Sequence, residues 1–224
     1  RLLPHLIAPQ GIGVDHWYWK VYIEKYRTTG QFPPVLPQYL LEQHQWYPPL
    51  FPLLMAKLPE AIFEKYSQIL AVFIDLFRLI LLMVAAYWFT GRVNSAIAAG
   101  LVYSITPILI IYNVQLNPRG LGALFLDIIV LLLVWLIWLD GMFWGWALVI
   151  LLSGLVLLTH KMTTQLLWFS SLLSSIVFLD WRLFMLIPSS IIMAIILSKG
   201  FYLKVLAAHW DIVRFWNKNW KWIS

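Results

Sequence analysis

Residues 120–139 read GLGALFLDIIVLLLVWLIWL, an apolar run carrying a single charge, Asp127. A bilayer core about 30 Å thick is crossed by roughly 20 apolar helical residues, so this run has the length and character of a membrane span. Working outward from it, five further runs share that character: Tyr66–Thr90, Asn94–Tyr112, Phe143–Thr159, Thr164–Leu179 and Leu183–Ser198. The pieces between them are short: GRVN at 91–94, NVQLNPRG at 113–120, DGM at 140–142, HKMT at 160–163 and DWR at 180–182. Loops of that length join antiparallel neighbours. The expected fold class is therefore an all-α polytopic membrane protein, with six visible transmembrane helices in one bundle over residues 66–198.

Composition points the same way. The chain is 62% hydrophobic and 12% charged, with a mean hydropathy of +0.79, far from the balance of a soluble domain. Fourteen Trp, ten Tyr and thirteen Phe suit a chain that meets many bilayer interfaces, where amphipathic rings settle at headgroup depth. The absence of Cys excludes disulfides, thiolate nucleophiles and Cys metal ligands. A net charge of +6 favours anionic membrane lipid as a partner over nucleic acid.

Residues 1–65 differ from the rest. Pro33, Pro34, Pro37, Pro48, Pro49, Pro52 and Pro59 forbid a long helix, so the segment reads as one large extramembrane loop. Near its start Lys20, Glu24 and Arg27 fall on one helical stripe and Trp19, Ile23 and Tyr26 on another, the pattern of a helix lying in the membrane interface. Residues 199–224 repeat it, with Leu203, Leu206, Trp210, Val213 and Trp220 opposite Lys204, Asp211, Arg214, Lys218 and Lys221. A second, C-terminal interfacial helix is expected there. No apolar run precedes the long loop, which leads to the expectation of a further span before Arg1 and a seven-span core.

Counting spans sorts the loops by side. The long loop, NVQLNPRG, HKMT and the C-terminal helix share one face, so Asp15, Arg119, His160 and Lys161 converge on it from segments far apart in the chain. Arg92, Asp140, Asp180 and Arg182 mark the other face. Inside the spans, Asp75 and Arg78 are three residues apart and can pair on one helical face, while Asp127 needs a partner that the sequence does not name.

Several motifs together carry a resemblance. An Arg-x-x-Pro at residues 1–4, GVDHWYWK at 13–20, WYPPLFPLL at 46–54, NPRGLGALF at 117–125 and LTHKMTTQLLW at 158–168 resemble polyprenyl-phosphate-dependent glycosyltransferases of the GT-C class. The Asp followed by aromatics is similar to the first-loop motif of oligosaccharyltransferases. The resemblance implies a seven-span core, a lipid-linked sugar donor, and a catalytic Asp in the first large external loop, here Asp15. It places that loop outside a prokaryotic cytoplasmic membrane. His16, Arg119, His160 and Lys161 become the expected substrate-binding residues, the cations facing the donor phosphate, and Asp15 the base or acceptor-orienting carboxylate.

Two observations pull against parts of this. Oligosaccharyltransferases hold a divalent metal with acids from two loops, and NVQLNPRG contains no acid, so no metal site of that type is expected. Lys65, Arg119, Lys161, Lys199 and Lys204 outnumber Arg92 and Arg182 near span ends, which by the positive-inside rule would put the loop's face in the cytoplasm. Competing readings are an Asp15 that merely caps a helix, a non-catalytic subunit packed among other membrane subunits, and a transporter built on Asp75, Arg78 and Asp127.

Overall fold

The computed structural model describes residues 13–37, 41–113, 115–139 and 141–220. The Arg-x-x-Pro at 1–4, Asp140 and Lys221 lie outside the described residues. The chain is mostly helical, as expected, with ten described helices and one small pair of strands. In chain order these are α1 (Val14–Thr29), β1 (Val35–Leu36), β2 (Leu41–His44), α2 (Leu50–Ala56), α3 (Glu60–Thr90) and α4 (Val93–Ile105). There follow α5 (Pro107–Asn113), α6 (Arg119–Trp138), α7 (Trp144–Leu157), α8 (Lys161–Val177), α9 (Trp181–Leu197) and α10 (Phe201–Asn219).

Two of these helices, α3 and α6, are long and apolar enough to cross a membrane. Their most apolar windows are only 11% and 17% buried within the protein, so neither is the core helix of a soluble fold. The remaining apolar helices are shorter. Helices α4, α7 and α9 are apolar but fall below the length of a full span, so two of the six expected spans meet that length among the described residues. The run Asn94–Tyr112 is in addition broken in two. Pro107 cannot follow a helical residue comfortably, and Thr106 before it takes an extended conformation at φ −68° and ψ 111°, ending α4 and starting α5.

Neighbouring helices pair closely: α3 with α4 and α6, α6 with α7, α8 with α9. Helix α7 packs far more against α9 than against α8, so chain order is not the order in space. Ile129, Val149, Val156, Leu157, Leu167, Leu183 and Ala194 form the bundle core, joined by Tyr202 and Val205 from the first turns of α10. That anchoring fixes where α10 leaves the bundle. Its later residues Trp210, Val213, Phe215 and Trp216 stay exposed.

The charges within the long apolar helices do not stand alone. Arg78 of α3 donates from Nε to Asp127 Oδ2 of α6 at 2.7 Å, which supplies the partner that the sequence left unnamed. Asp75 is buried and accepts from the Tyr103 hydroxyl of α4 and the Asn113 amide of α5, each at 2.6 Å. Where one pair between Asp75 and Arg78 was expected, Arg78 instead ties α3 to α6 through Asp127, and Asp75 ties α3 to α4 and α5 through Tyr103 and Asn113.

The proline-rich segment is a packed cap rather than a loop with one helix, a second correction. Helix α1 lies on α2, while β1 and β2 pair antiparallel through Val35 with His44 and Leu36 with Leu41. Trp19, Tyr22, Ile23, Leu36, Phe51, Met55, Phe63 and Leu116 close a second hydrophobic core. Burying each large side chain there is worth on the order of 2 kcal/mol. The polar stripe of α1 is engaged by the protein: Lys20 bonds Glu64 of α3 at 2.7 Å, and Arg27 donates to the carbonyls of Met55 and Leu58.

Candidate functional site

A polar pocket of about 210 Å³ lies where the cap meets the start of α6 and of α8. Asp15, Tyr18, Trp19, Tyr47, Asn117, Pro118, Arg119 and His160 line it. Asp15, Arg119 and His160, expected to converge, are together here.

Each is held by the local chain. Gly13, whose φ of 82° suits glycine, precedes helix α1, and a Cβ there would run into the Gln115 side chain. Gly13 is the N-cap and no side chain caps this helix, so the capping reading of Asp15 does not hold. The carboxylate sits in the first turn, where the helix dipole favours a negative charge, and faces the pocket. Arg119 Nη2 lies 3.9 Å from Asp15 Oδ2, close enough for attraction and too long for a tight hydrogen bond.

Arg119 opens α6 from a braced turn. Asn117 Oδ1 accepts its backbone N–H at 2.9 Å, and the Asn117 amide donates to the Tyr112 carbonyl at 2.9 Å. The guanidinium stacks on the Tyr112 ring, 4.4 Å from its centroid. Its direction is set before any ligand arrives.

His160 is the N-cap of α8. Its Nδ1 accepts the Thr163 backbone N–H at 3.3 Å, which requires that nitrogen to be bare and puts the ring proton on Nε2. Burial, assisted by the Arg119 charge, pushes the imidazole down to about 4. His160 is therefore a neutral N–H donor at pH 7, a correction to its expected role as a cation. Gly122 permits the contact between α6 and α8, since a Cβ there would meet Thr163 Oγ1 at 3.0 Å and His160 Cβ at 3.3 Å.

Lys161, the next residue, is not among the pocket's lining side chains and lines an apolar groove between α8 and α10 instead. Its Nζ lies 5.3 Å from the Tyr47 ring centroid, and burial lowers its pKa from the usual lysine value. His16 points away from the pocket: it is buried on α1 and accepts from the Gln68 amide of α3 at 3.2 Å.

Sequence reasoning missed Tyr47 and Asn117. Tyr47 packs its ring against Trp19 at 4.7 Å and His160 at 6.4 Å. Burial raises the phenol well above its ordinary value, so it stays protonated. The Asn-Pro dipeptide at 117–118 was a readable turn signal for a side chain that orders the next backbone N–H.

Among the described residues, no three His, Asp or Glu side chains gather as a metal site would need. The pocket offers one carboxylate, one guanidinium and one imidazole N–H, a set that receives an anion while leaving a base beside it. Compared with known proteins, the chain matches no family model, no curated protein and no solved structure.

Proposed function

We propose that the chain is an integral membrane glycosyltransferase that moves a sugar from a polyprenyl-phosphate donor to an acceptor. One observation carries the reading: Asp15, Arg119 and His160 come from three distant segments into one polar pocket at the end of an apolar bundle. Asp15 acts as the base that takes the acceptor's proton, or as the group that orients the acceptor, when the anomeric carbon is attacked. The guanidinium of Arg119 and the Nε2–H of His160 stabilise the departing phosphate, and Lys161, with its Nζ 5.3 Å from the Tyr47 ring, adds positive charge nearby. The 3.9 Å gap between Asp15 and Arg119 supports this division of labour, because neither group is locked to the other.

In this reading all the apolar helices lie in the bilayer, with the broken pair α4 and α5 making one crossing together, and the cap faces the outside of a cytoplasmic membrane. The excess of Lys and Arg on the cap side has a local explanation that supports that orientation. Arg119 faces the pocket, Lys161 is partly buried, and Lys204 sits 4.6 Å over the Trp46 ring, so these cations serve contacts within the protein.

The test is sugar transfer from a synthetic polyprenyl-phosphate sugar by the purified protein and by Asp15→Asn. The variant is expected to lose transfer by at least about 100-fold, as removal of a general base does, with its melting temperature unchanged. Transfer retained by the variant would remove Asp15 from the chemistry, and absence of transfer by the parent protein would favour a non-catalytic subunit.

A further inference from the structure

The connector from α5 to α6 is unusual in keeping its polar side chains inside the protein: Asn113, Gln115 and Asn117 are 5%, 6% and 5% exposed. Connecting segments ordinarily run over the surface, where water meets their polar groups. Here the first of the three, Asn113 at the end of α5, is held by a buried acid of α3. Its amide and the Tyr103 hydroxyl both donate to Asp75 Oδ1 at 2.6 Å, and the amide also donates to the Tyr103 oxygen at 3.2 Å. Short bonds to a carboxylate oxygen are the strong, directional kind. Neither Asp75 nor Tyr103 nor Asn113 lines the polar pocket. Their neighbours nevertheless carry both of its opposite charges. Tyr112, next to Asn113, supplies the carbonyl that accepts from Asn117 and the ring on which Arg119 stacks, and Asn117 accepts the Arg119 backbone N–H. The Gln115 side chain fills the space beside Gly13, the residue from which Asp15 and α1 start. Asp15 and Arg119, at 3.9 Å with side chains 45% and 36% exposed, attract each other too weakly to set this geometry themselves.

We propose that Asp75 is a positioning residue for the polar pocket: by anchoring Asn113 it fixes the α5–α6 connector, and the connector sets the Arg119 guanidinium against Asp15. The effect on sugar transfer rests on the glycosyltransferase reading, whereas the positioning of Arg119 rests on these contacts alone. A buried carboxylate is costly unless donors meet it, so the Asp75 oxygen and its two donors hold one arrangement against alternatives. The same network holds α6 a second time. Arg78, which bonds Asp127 two turns along that helix, has its guanidinium 6.0 Å from the Tyr103 ring centroid. Arg119 is thereby fixed from its own helix and from the turn before it.

The proposal is tested by the reactivity of Arg119 itself, which does not depend on transfer. The full chain in phosphatidylcholine nanodiscs is treated with phenylglyoxal, and modification of each arginine is followed by mass spectrometry, with Arg92 and Arg182, which do not line the pocket, as internal references. Asn113→Asp sets a second carboxylate against Asp75 and is expected to speed the modification of Arg119 by roughly threefold to tenfold, the effect of losing one hydrogen bond. Adding Asp75→Asn restores one donor and one carboxylate with their places exchanged, and should return the Arg119 rate to within about twofold of the parent. Tyr103→Phe deletes one hydroxyl and should move Arg119 in the same direction as Asn113→Asp. It carries the test, together with the exchange variant, if Asn113→Asp does not fold. Where transfer is observed, kcat should fall and recover in step with the Arg119 rate while the acceptor KM holds, because Arg119 acts on the departing phosphate. An Arg119 rate equal to the parent's in every folded variant would overturn the proposal. So would equal acceleration at Arg92 and Arg182, the mark of general loosening, or an exchange variant that melts like the parent and leaves Arg119 fast. The expected labelling pattern in a parent protein without transfer would sink the enzyme reading and leave the positioning role standing.

Discussion

Replacing His160 separates two duties that the structure gives one side chain. Its Nδ1 caps α8 and its ring lines the polar pocket. In the folded chain the imidazole titrates near 4, against 6.5 for an exposed histidine. Between those values the unfolded chain carries a proton that the folded chain refuses, so stability is full above about pH 6.5 and falls with pH through the window. Each pKa unit is worth about 1.4 kcal/mol, so the whole interval amounts to about 3 kcal/mol, lost by the time the pH reaches about 4. Asparagine at this position keeps a capping oxygen and cannot titrate. His160→Asn is therefore expected to match the parent within about 1 kcal/mol at pH 7.5 and to escape its share of the acid loss. For a chain of this size that is roughly 6–12 °C less decline in melting temperature between pH 7 and pH 4. His209 also titrates low, near 4, but it is present in both proteins and cancels in the comparison. His160→Ala loses the cap and should melt lower at every pH, by about 1 kcal/mol of stability. The assay is tryptophan-fluorescence melting in detergent across that pH range. Parallel melting curves for the parent and His160→Asn would refute the neutral, Nε2-protonated imidazole.

The ion pair within the bundle makes a second prediction. Arg78→Leu leaves the Asp127 carboxylate without its guanidinium and should cost roughly 3 kcal/mol or more, whereas Arg78→Leu combined with Asp127→Leu should recover most of that loss; a double variant no better than the single would show that the two do not act as a pair. Orientation is open to direct labelling because the chain has no native cysteine. With the cap outside, a membrane-impermeant maleimide should label Gln31→Cys in intact cells and leave Asn94→Cys unlabelled until the membrane is opened, and the reverse pattern would invert the topology.

Long apolar runs were the most legible part of this chain. The run at 120–139 became a helix within one residue of its expected ends, because nothing in it competes with helix and its length is set by a bilayer. Pro107 was readable in principle, but its effect was hidden inside an apolar run whose hydropathy continues on both sides. The strands of the cap gave no alternating pattern to read, since β1 is two residues long and the pairing is set by the packing around Leu36. In the site, Asp15 and Arg119 were visible because charges are scarce here, and scarcity makes each one informative. Tyr47 sat in a proline turn that explained itself without a function.

The network around Asp75 bears on how the chain is made. A ribosome delivers α3 first, and with it Asp75 and Arg78, while Tyr103, Asn113 and Asp127 are still unsynthesised. A lone charged residue at the centre of a span opposes insertion by about 2.5–3.5 kcal/mol. Two in one helix would hold α3 at the edge of the insertion machinery until α4, α5 and α6 arrive to satisfy them. In the membrane reading proposed above, these four helices enter the bilayer as a group, and the length of nascent chain at which α3 becomes protected from the aqueous side should coincide with the emergence of Asp127.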